Sequence, residues 1–219
     1  QGLQSSVGSI NMFELYIEPK INRSFSIRIG RQELALDNGR LYSAAPWSQQ
    51  SRSHEGLRLF YQGKIRTDLT LAFTRKYSTR YESMYSPIAA LPYKYLILHQ
   101  LIALLSRTFT LTTINTIDIF RSEHTAETNF ARATLGGRLD YKSRKADATL
   151  GAWLQFGKNA QGNTVSAFYL QPEISKQIRK YTFRFGAEIL SGENTFQSNP
   201  TTHSFVPLYG VTWKFMGNM

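Results

Sequence analysis

The histidines are the first side chains in this sequence that could carry chemistry. There are four: His54, His99, His124 and His203. They lie in different predicted loops or strands, with no H-x-x-x-H pair and no carboxylate at metal-ligand spacing. His54 stands between Ser53 and Glu55, the one local cluster with the residue types for nucleophilic catalysis, but a solvated loop explains this cluster more simply. We therefore predict no catalytic residue, no metal site and no cofactor, and we expect that the protein is not an enzyme.

The arginines offer a second kind of chemistry, because they occur with acidic residues in segments that alternate between apolar and polar positions. A guanidinium group can bind a carboxylate through two parallel hydrogen bonds and stays charged at any working pH. This pattern yields the following candidate ligand-contacting residues: Arg28, Arg58, Arg132, Arg138, Asp140, Arg184 and Glu188. The alternative is that these charges pair with one another and serve the structure alone.

The formal net charge is +11, and chains this basic bind nucleic acid, membranes or anionic substrates. Many of the 26 basic residues lie in or beside five short predicted turns: Lys20, Arg23, Lys64, Arg66, Arg107, Lys142, Arg144, Lys145, Lys176, Arg179 and Lys180. Because so much of the charge lies in turns, the net charge by itself does not predict an anion pore.

The elements that would position these side chains are strands. From Tyr181 to Leu190 the odd positions are apolar or aromatic and the even positions are mainly polar or charged, the alternation expected of a two-faced strand. The pattern recurs and predicts ten strands of about 8 to 14 residues and no helix. The segment Tyr93 to Leu105 is apolar on both faces and fits least well.

The connections between these strands alternate in length. Short turns are predicted near 19–23, 63–67, 105–108, 142–145 and 176–180, and longer loops near 34–54, 76–91, 121–127, 158–163 and 191–204. A meander with tight turns at one end and long loops at the other is typical of an up-and-down transmembrane β-barrel. We therefore predict an all-β antiparallel fold in which residues 1–219 form a single barrel domain.

A soluble β-sandwich or lipocalin-like barrel also alternates and is the alternative fold. The apolar positions include many alanines, which suit lipid contact but would fill a sandwich core poorly. Sandwiches also favour Greek-key crossings over a strict meander. A helical membrane protein is excluded because no apolar run reaches 18 residues, and the absence of cysteine excludes disulfides and thiolate metal sites.

Interleaved tyrosines and basic residues near 76–81 could bind nucleic acid, but an interfacial aromatic girdle together with loop packing is the better interpretation. The tyrosines assigned to it are Tyr77, Tyr81, Tyr85, Tyr93 and Tyr95. We expect no nucleic-acid partner.

Two blocks of the sequence are more specific than the strand pattern. The first consists of Gly30-Arg31-Gln32-Glu33-Leu34, Asp37-Asn38-Gly39-Arg40-Leu41, Trp47, Arg52 and Gly56-Leu57-Arg58-Leu59. The second consists of Ser191-Gly192-Glu193, Phe205, Leu208-Tyr209 and Phe215-Met216-Gly217. Together they resemble the motifs of the alginate-export family of bacterial outer-membrane barrels, over about a third of the chain.

The resemblance implies a passive channel in a Gram-negative-type outer membrane, with an arginine-bearing lumen for anionic saccharides or other small anions. It assigns wall or loop-mouth roles to Arg31, Glu33, Arg40, Arg52 and Arg58. The implied partners are the lipid bilayer, outer-membrane lipids and an anionic saccharide. A different hypothesis is a non-conducting barrel that acts as a scaffold in a surface or secretion complex, with Tyr93 to Leu105 contacting a protein partner.

The chain departs from the family pattern in two ways. Glu193 stands where the family has Asp, which is a minor change. The family's barrels also have many more strands than the roughly ten visible here. We therefore expect that the sequence is an incomplete, internal portion of a larger barrel, and a self-contained ten-stranded barrel is the alternative.

Overall fold

The computed structural model describes residues 13–44, 52–74, 92–122, 128–193 and 201–210. These residues form one sheet in which β1 to β10 follow one another in chain order, each antiparallel to the next, while β11 and β12 both pair with β9. The strands are β1 Leu15–Ile17, β2 Phe25–Gln32, β3 His54–Gln62, β4 Ile65–Phe73, β5 Tyr95–Leu104, β6 Phe109–Arg121, β7 Asn129–Lys142, β8 Ala146–Lys158, β9 Thr164–Ile178, β10 Tyr181–Gly186, β11 Ile189–Leu190 and β12 Thr201–Thr202. The predicted all-β, up-and-down class is confirmed.

The connections alternate as predicted. The links β1–β2, β3–β4, β5–β6, β7–β8 and β9–β10 lie at one end of the sheet, here called the short-turn end, and the links β2–β3, β4–β5, β6–β7 and β8–β9 lie at the other, the long-loop end. β1 and β10 are the two edges of the described strand order and do not pair with each other. No helix long and apolar enough to cross a membrane occurs in the described ranges.

The alternation of side chains gives the sheet two unlike faces. On one, the apolar face, large hydrophobic side chains are exposed, for example Leu150 at 54%, Leu154 at 60% and Phe183 at 60%. On the other, the polar face, charged and polar side chains are buried, for example Arg58 at 9% and Asp118 at 0%. Monomeric soluble proteins rarely expose so large an apolar surface. The arrangement is therefore the reverse of a soluble sandwich, in which the apolar face is the enclosed one.

Aromatic rings lie at both ends of the apolar face, and aliphatic side chains lie between them. At the short-turn end Phe25 packs on Tyr61 with ring centroids 4.8 Å apart, and Phe109 packs on Tyr141 at 5.0 Å. At the long-loop end Phe73 and Tyr95 are register partners on β4 and β5, and both are exposed. Aromatic girdles flanking an aliphatic band are typical of barrel strands that cross a bilayer.

The tyrosines assigned to a girdle and to loop packing divide between these two roles. Tyr95 is 49% exposed on the apolar face, whereas Tyr93 is 2% exposed and packs against Tyr209 on the other side of the sheet, which is loop packing. The predicted girdle residues Tyr77, Tyr81 and Tyr85 lie outside the described residues.

The buried core lies against the polar face, where two segments of irregular chain cover the sheet. We call residues 33–44 and 201–210 the covering segments. Their side chains Leu34, Tyr42 and Tyr209 belong to one buried cluster with Leu96 and Leu98 of β5. This explains why β5 is apolar on both faces, since one face contributes to the exposed apolar surface and the other lies within the covered cluster.

The reach of the first covering segment shows that the sheet is curved. Asn38, six residues beyond the end of β2, donates a hydrogen bond from Nδ2 to Oε1 of Gln171 on β9 at 3.0 Å. In a flat sheet, seven strand intervals would separate β2 from β9 by about 34 Å. Six extended residues span at most about 21 Å, and two extended side chains add about 11 Å. The turn that bonds Gly39 N to the Leu36 carbonyl shortens the segment further, so the sheet curls around its polar face.

Two sequence expectations about local strand geometry need correction. The Gly136-Gly137 pair within a strand predicts a bulge or a bend, but the β6–β7 register is the same on both sides of it, so no extra residue is inserted and there is no bulge. Instead the ladder opens there, and Asn115 Oδ1 accepts a hydrogen bond from Gly136 N at 3.3 Å. The predicted strand Tyr181 to Leu190 is divided into β10 and β11, which share one register against β9. The division lies opposite Pro172, which has no N–H to donate to the ladder.

Candidate functional site

The middle of the polar face holds two buried arginine–carboxylate pairs. Arg132 on β7 is the register partner of Asp118 on β6, and its Nη2 lies 2.9 Å from Asp118 Oδ2. Arg58 on β3 reaches diagonally to Asp68 on β4, with Nη2 and Oδ2 3.0 Å apart. All four side chains are at most 10% exposed. Because buried charges need partners, each pair is a structural unit as well as a possible contact for a ligand.

Arg138 connects the sheet to the first covering segment. Its Nε lies 3.1 Å from Asp140 Oδ2 and its Nη2 lies 2.6 Å from Asp37 Oδ1. The other oxygen of Asp140 accepts a hydrogen bond from Thr149 Oγ1 at 2.8 Å. The main chain of Asp37 is exposed at a left-handed turn (φ 53°), whereas its side chain is only 5% exposed. Burial raises the pKa of the Asp37 carboxyl, and the Arg138 charge offsets part of this rise.

The arginines at the two edges of the sheet are also paired, but in more open surroundings. Arg28 on β2 lies 2.6 Å from Glu18, and its guanidinium stacks 4.1 Å from the ring centroid of Tyr16. Arg184 on β10 lies 3.4 Å from Glu173, and its side chain is 67% exposed. These two arginines can therefore exchange their partners more readily than the central ones.

Of the five residues that the family resemblance nominated, Arg31 and Glu33 lie where the first covering segment leaves the sheet. Arg31 donates to Ser53 Oγ at 2.9 Å and pairs with Glu55 at 3.3 Å. Glu33 has its main-chain N–H bonded to Glu14 Oε1 at 3.0 Å. Burial, and then the nearby Glu14 charge, raise the pKa of Glu33.

Arg40 and Glu188 join the first covering segment to the interrupted strand opposite Pro172. Arg40 is 1% exposed, and its Nε lies 2.9 Å from Glu188 Oε1. The same oxygen accepts a hydrogen bond from the Tyr169 hydroxyl. Glu188 reaches this position because it lies on the polar-face side at the break between β10 and β11.

Arg52 behaves differently from the other predicted arginines. Its Nη1 donates to the main-chain carbonyls of Tyr209 and Gly210, the latter at 2.6 Å, and its main-chain N–H bonds to the Ala44 carbonyl at 3.0 Å. Burial lowers the pKa of Arg52. Arg52 thus ties the two covering segments together.

The predicted arginines therefore do not form a bare basic surface. Seven of them pair with a carboxylate, and these are Arg28, Arg31, Arg40, Arg58, Arg132, Arg138 and Arg184. Among the described residues the polar face is close to electrically balanced. Any preference for anions would therefore depend more on the positions of the guanidinium groups than on the net charge of the face.

Sequence reasoning missed the tyrosines that hold the covering segments on the sheet. The Tyr209 hydroxyl donates to Asp118 Oδ1 at 2.8 Å, and the Tyr42 hydroxyl lies 2.9 Å from Thr116 Oγ1. Burial, and then the Asp118 charge, raise the pKa of both phenols well above its usual value, so they remain protonated. Tyr209 was visible as part of a motif, but its contact with Asp118 joins residues 91 apart in sequence.

The second covering segment is also fixed by its main chain. The amide of Gln155 bonds both main-chain groups of Val206, at 2.8 and 2.9 Å, as a neighbouring strand would. The Tyr209 N–H bonds to the Leu41 carbonyl at 2.9 Å. A Cβ atom on Gly210 would lie 1.8 Å from the main-chain oxygen of Arg40, so only glycine allows this approach. The two covering segments therefore lie on the sheet as one connected layer.

The Ser53–His54–Glu55 cluster lies at the start of β3 with Ser53 and His54 buried, so the expected solvated loop is wrong. His54 is 2% exposed, with Nδ1 2.7 Å from the Tyr93 hydroxyl, while Ser53 and Glu55 both bind Arg31. The described part of the chain contains no group of three or more His, Asp or Glu side chains that could hold a metal ion.

Comparison with known proteins gives one family. The family model described as alginate export matches residues 4–218, which is essentially the whole chain. No curated protein matches the sequence.

Proposed function

The chain belongs to the alginate-export family, a family of outer-membrane transport proteins rather than of enzymes, and on this premise we propose that it forms a multi-pass barrel in a Gram-negative-type outer membrane. The barrel acts as a passive export channel for anionic saccharides or other small anions. The polar face lines the channel, and the apolar face contacts lipid.

The observation that carries the proposal is the inverted burial of the sheet. Exposed aliphatic side chains between two aromatic rows suit hydrocarbon, while buried arginines and carboxylates need an aqueous or protein-filled interior. The curvature places that polar face on the concave side, where a lumen would lie. The first block, which contains Arg31, Arg40 and Arg58, resembles the alginate-export motifs. This resemblance supports an anionic saccharide as the cargo.

Paired arginines suit transport better than isolated ones. In each pair the guanidinium uses part of its five N–H donors, so a passing carboxylate can bind the remainder or displace the wall carboxylate. Each contact is then weak, and weak repeated contacts allow a polymer to move where one tight site would retain it. Because the wall is nearly balanced, we propose a modest preference for anions.

The covering segments determine how far the channel is open. They lie on the polar face across β3 to β9 and are held by Tyr209, Arg52 and Gln155. Conduction along this face requires that a path remain beside them or that they be displaced.

Planar-bilayer recording of the full-length protein tests this proposal. We expect the protein to conduct. An oligogalacturonate should block this conductance at one sign of the applied voltage and not at the other, whereas a neutral dextran oligomer of equal length should not block it. Arg184→Gln is expected to weaken the blockade, because Arg184 is the most exposed of the paired arginines. Equal blockade by the neutral and the anionic oligomer would contradict the choice of cargo.

A second candidate function is a non-conducting barrel that acts as a scaffold or partner in a surface or secretion complex. The observation in its favour is that the covering segments bury the centre of the polar face. A protein that inserts into bilayers but does not conduct, even when the covering layer is loosened by Gly210→Ala, would favour this function. Co-purification of a stoichiometric protein partner would support it further.

A further inference from the structure

The short-turn end carries a concentration of positive charge that the proposed channel does not use. The eleven basic residues of the five short turns are all exposed: Lys20, Arg23, Lys64, Arg66, Arg107, Lys142, Arg144, Lys145, Lys176, Arg179 and Lys180. Within the described chain none of them forms an ion pair, whereas five arginines along the polar face each pair with a carboxylate: Arg28, Arg58, Arg132, Arg138 and Arg184. We call these eleven residues the basic collar.

Acidic residues do not balance the collar. Four acidic residues lie within two residues of these turns. Three of them, Glu18, Asp68 and Asp140, already pair with arginines of the polar face, and the fourth is Asp147. Turn residues selected only for solubility would mix the two signs. An end of the sheet whose charges are nearly all positive indicates a negatively charged partner.

The collar lies immediately beyond the aromatic row of the apolar face. Each short turn places a cation one to three residues from an aromatic ring that points away from the polar face, as in Arg23 with Phe25, Lys64 with Tyr61 and Arg107 with Phe109. Lys142 and Lys180 adjoin Tyr141 and Tyr181, and the Lys180 Nζ lies 5.5 Å from the Tyr181 ring centroid. Girdle rings mark the depth of the lipid headgroups, so the cations lie at phosphate level.

We propose that the basic collar binds anionic phospholipid headgroups of the leaflet in which the short turns lie. Two observations favour a lipid over the saccharide cargo. The cations are distributed along all five turns beside the lipid-facing rings, and the polar face directly adjacent to them is neutralised by pairs such as Arg184–Glu173. Each cation near an anionic surface adds to binding, so the turns together give a marked preference for anionic over zwitterionic lipid.

Native mass spectrometry of the detergent-solubilised full-length chain tests this proposal. The probes are phosphatidylglycerol and phosphatidylcholine with the same acyl chains, and the measurement is the ratio of their apparent dissociation constants. We expect the parent protein to bind phosphatidylglycerol about tenfold more tightly or better. The triple variant Arg107→Gln, Lys142→Gln, Lys180→Gln removes three of the eleven collar cations and should lower this ratio about twofold.

The matched control removes three cations from the long-loop end: Lys94→Gln, Arg121→Gln, Lys158→Gln. It changes the net charge equally and should keep the preference for phosphatidylglycerol. A parent protein without the preference, or an equal loss in both triple variants, would overturn the proposal. It would also be overturned if the collar triple kept the preference but lost binding of an oligogalacturonate probe, because the collar would then belong to the saccharide.

This inference rests on the proposed membrane location and is independent of conduction. A chain that prefers phosphatidylglycerol but does not conduct would support the lipid-binding proposal and contradict the channel proposal. A chain that conducts but does not prefer phosphatidylglycerol would overturn the lipid-binding proposal and leave the channel proposal standing.

Discussion

Asp118 and Tyr209 lie 91 residues apart in sequence, yet the Tyr209 hydroxyl donates a 2.8 Å hydrogen bond to Asp118 Oδ1. The other carboxylate oxygen of Asp118 binds Arg132 at 2.9 Å. One buried carboxylate therefore joins the wall of the sheet to the layer that covers it. A polar face held in this way can be both the inner wall of a barrel and the attachment site of its own cover.

Removing the Tyr209 hydroxyl should loosen the cover without disturbing the sheet. In Tyr209→Phe the ring remains, but a hydrogen bond to a charged group is lost, which costs about 1.5 to 3 kcal/mol. We expect a higher open probability in planar bilayers. Tyr95→Phe is the control, because Tyr95 is exposed on the apolar face and should leave gating unchanged.

Gly210→Ala should displace the second covering segment more strongly. The added methyl group would lie 1.8 Å from the Arg40 carbonyl oxygen, and main chain at this distance must move. We expect larger or more frequent openings and easier proteolysis within residues 201–210. Gly192→Ala is the matched control, since nothing lies within 4 Å of a Cβ atom at that position. Equal effects of the two substitutions would contradict the close packing of Gly210 on Arg40.

The Arg132–Asp118 pair should show strong coupling. Arg132→Met alone leaves a buried carboxylate without its cation and should reduce the free energy of unfolding by about 3 to 5 kcal/mol. The double variant Arg132→Met, Asp118→Leu removes both charges and should recover most of this loss. Denaturant unfolding in detergent micelles measures both, and additive losses would show that the two residues do not act as a unit.

Asp37 should make the stability of the protein depend on pH. Because burial raises the pKa of its carboxyl above the ordinary 3.8, the folded protein binds this proton more tightly than the unfolded chain. The contribution of Asp37 to stability is therefore present at low pH and declines as the pH rises from 3.8 through the raised value.

Asp37→Asn removes that dependence and keeps a residue that tolerates the left-handed turn. We expect its free energy of unfolding at pH 7 to equal or exceed that of the parent, with a flatter slope between pH 4 and pH 7. A variant with the slope of the parent would show that another group is responsible.

The fold could be predicted from the sequence because its signal is local. The alternation in Tyr181–Leu190 and the lengths of the connections depend only on neighbouring residues, and both were confirmed apart from the break that Pro172 introduces. The covering segments could not be predicted in this way. Their contacts, such as Asn38 with Gln171, join residues 133 apart, and no periodic pattern reports such contacts.

The candidate site illustrates the same limit. Alternation placed Arg58, Arg132 and Arg138 on one face, but their partners depend on register and on the path of the covering segments. Asp68 is a diagonal neighbour of Arg58, whereas Asp37 reaches Arg138 from a loop. The lining role of these arginines in a channel stays a prediction until conduction is measured.

The central claim is that the apolar face contacts lipid and the polar face does not. Because the chain has no cysteine, single cysteines introduced at Thr149 and Leu150 can carry spin labels on the two faces of β8 without further changes. In liposomes, we predict that the label at Leu150 collides mainly with oxygen dissolved in the bilayer and the label at Thr149 mainly with a water-soluble nickel complex. The reverse order, or equal contact of both labels with the nickel complex, would contradict the account.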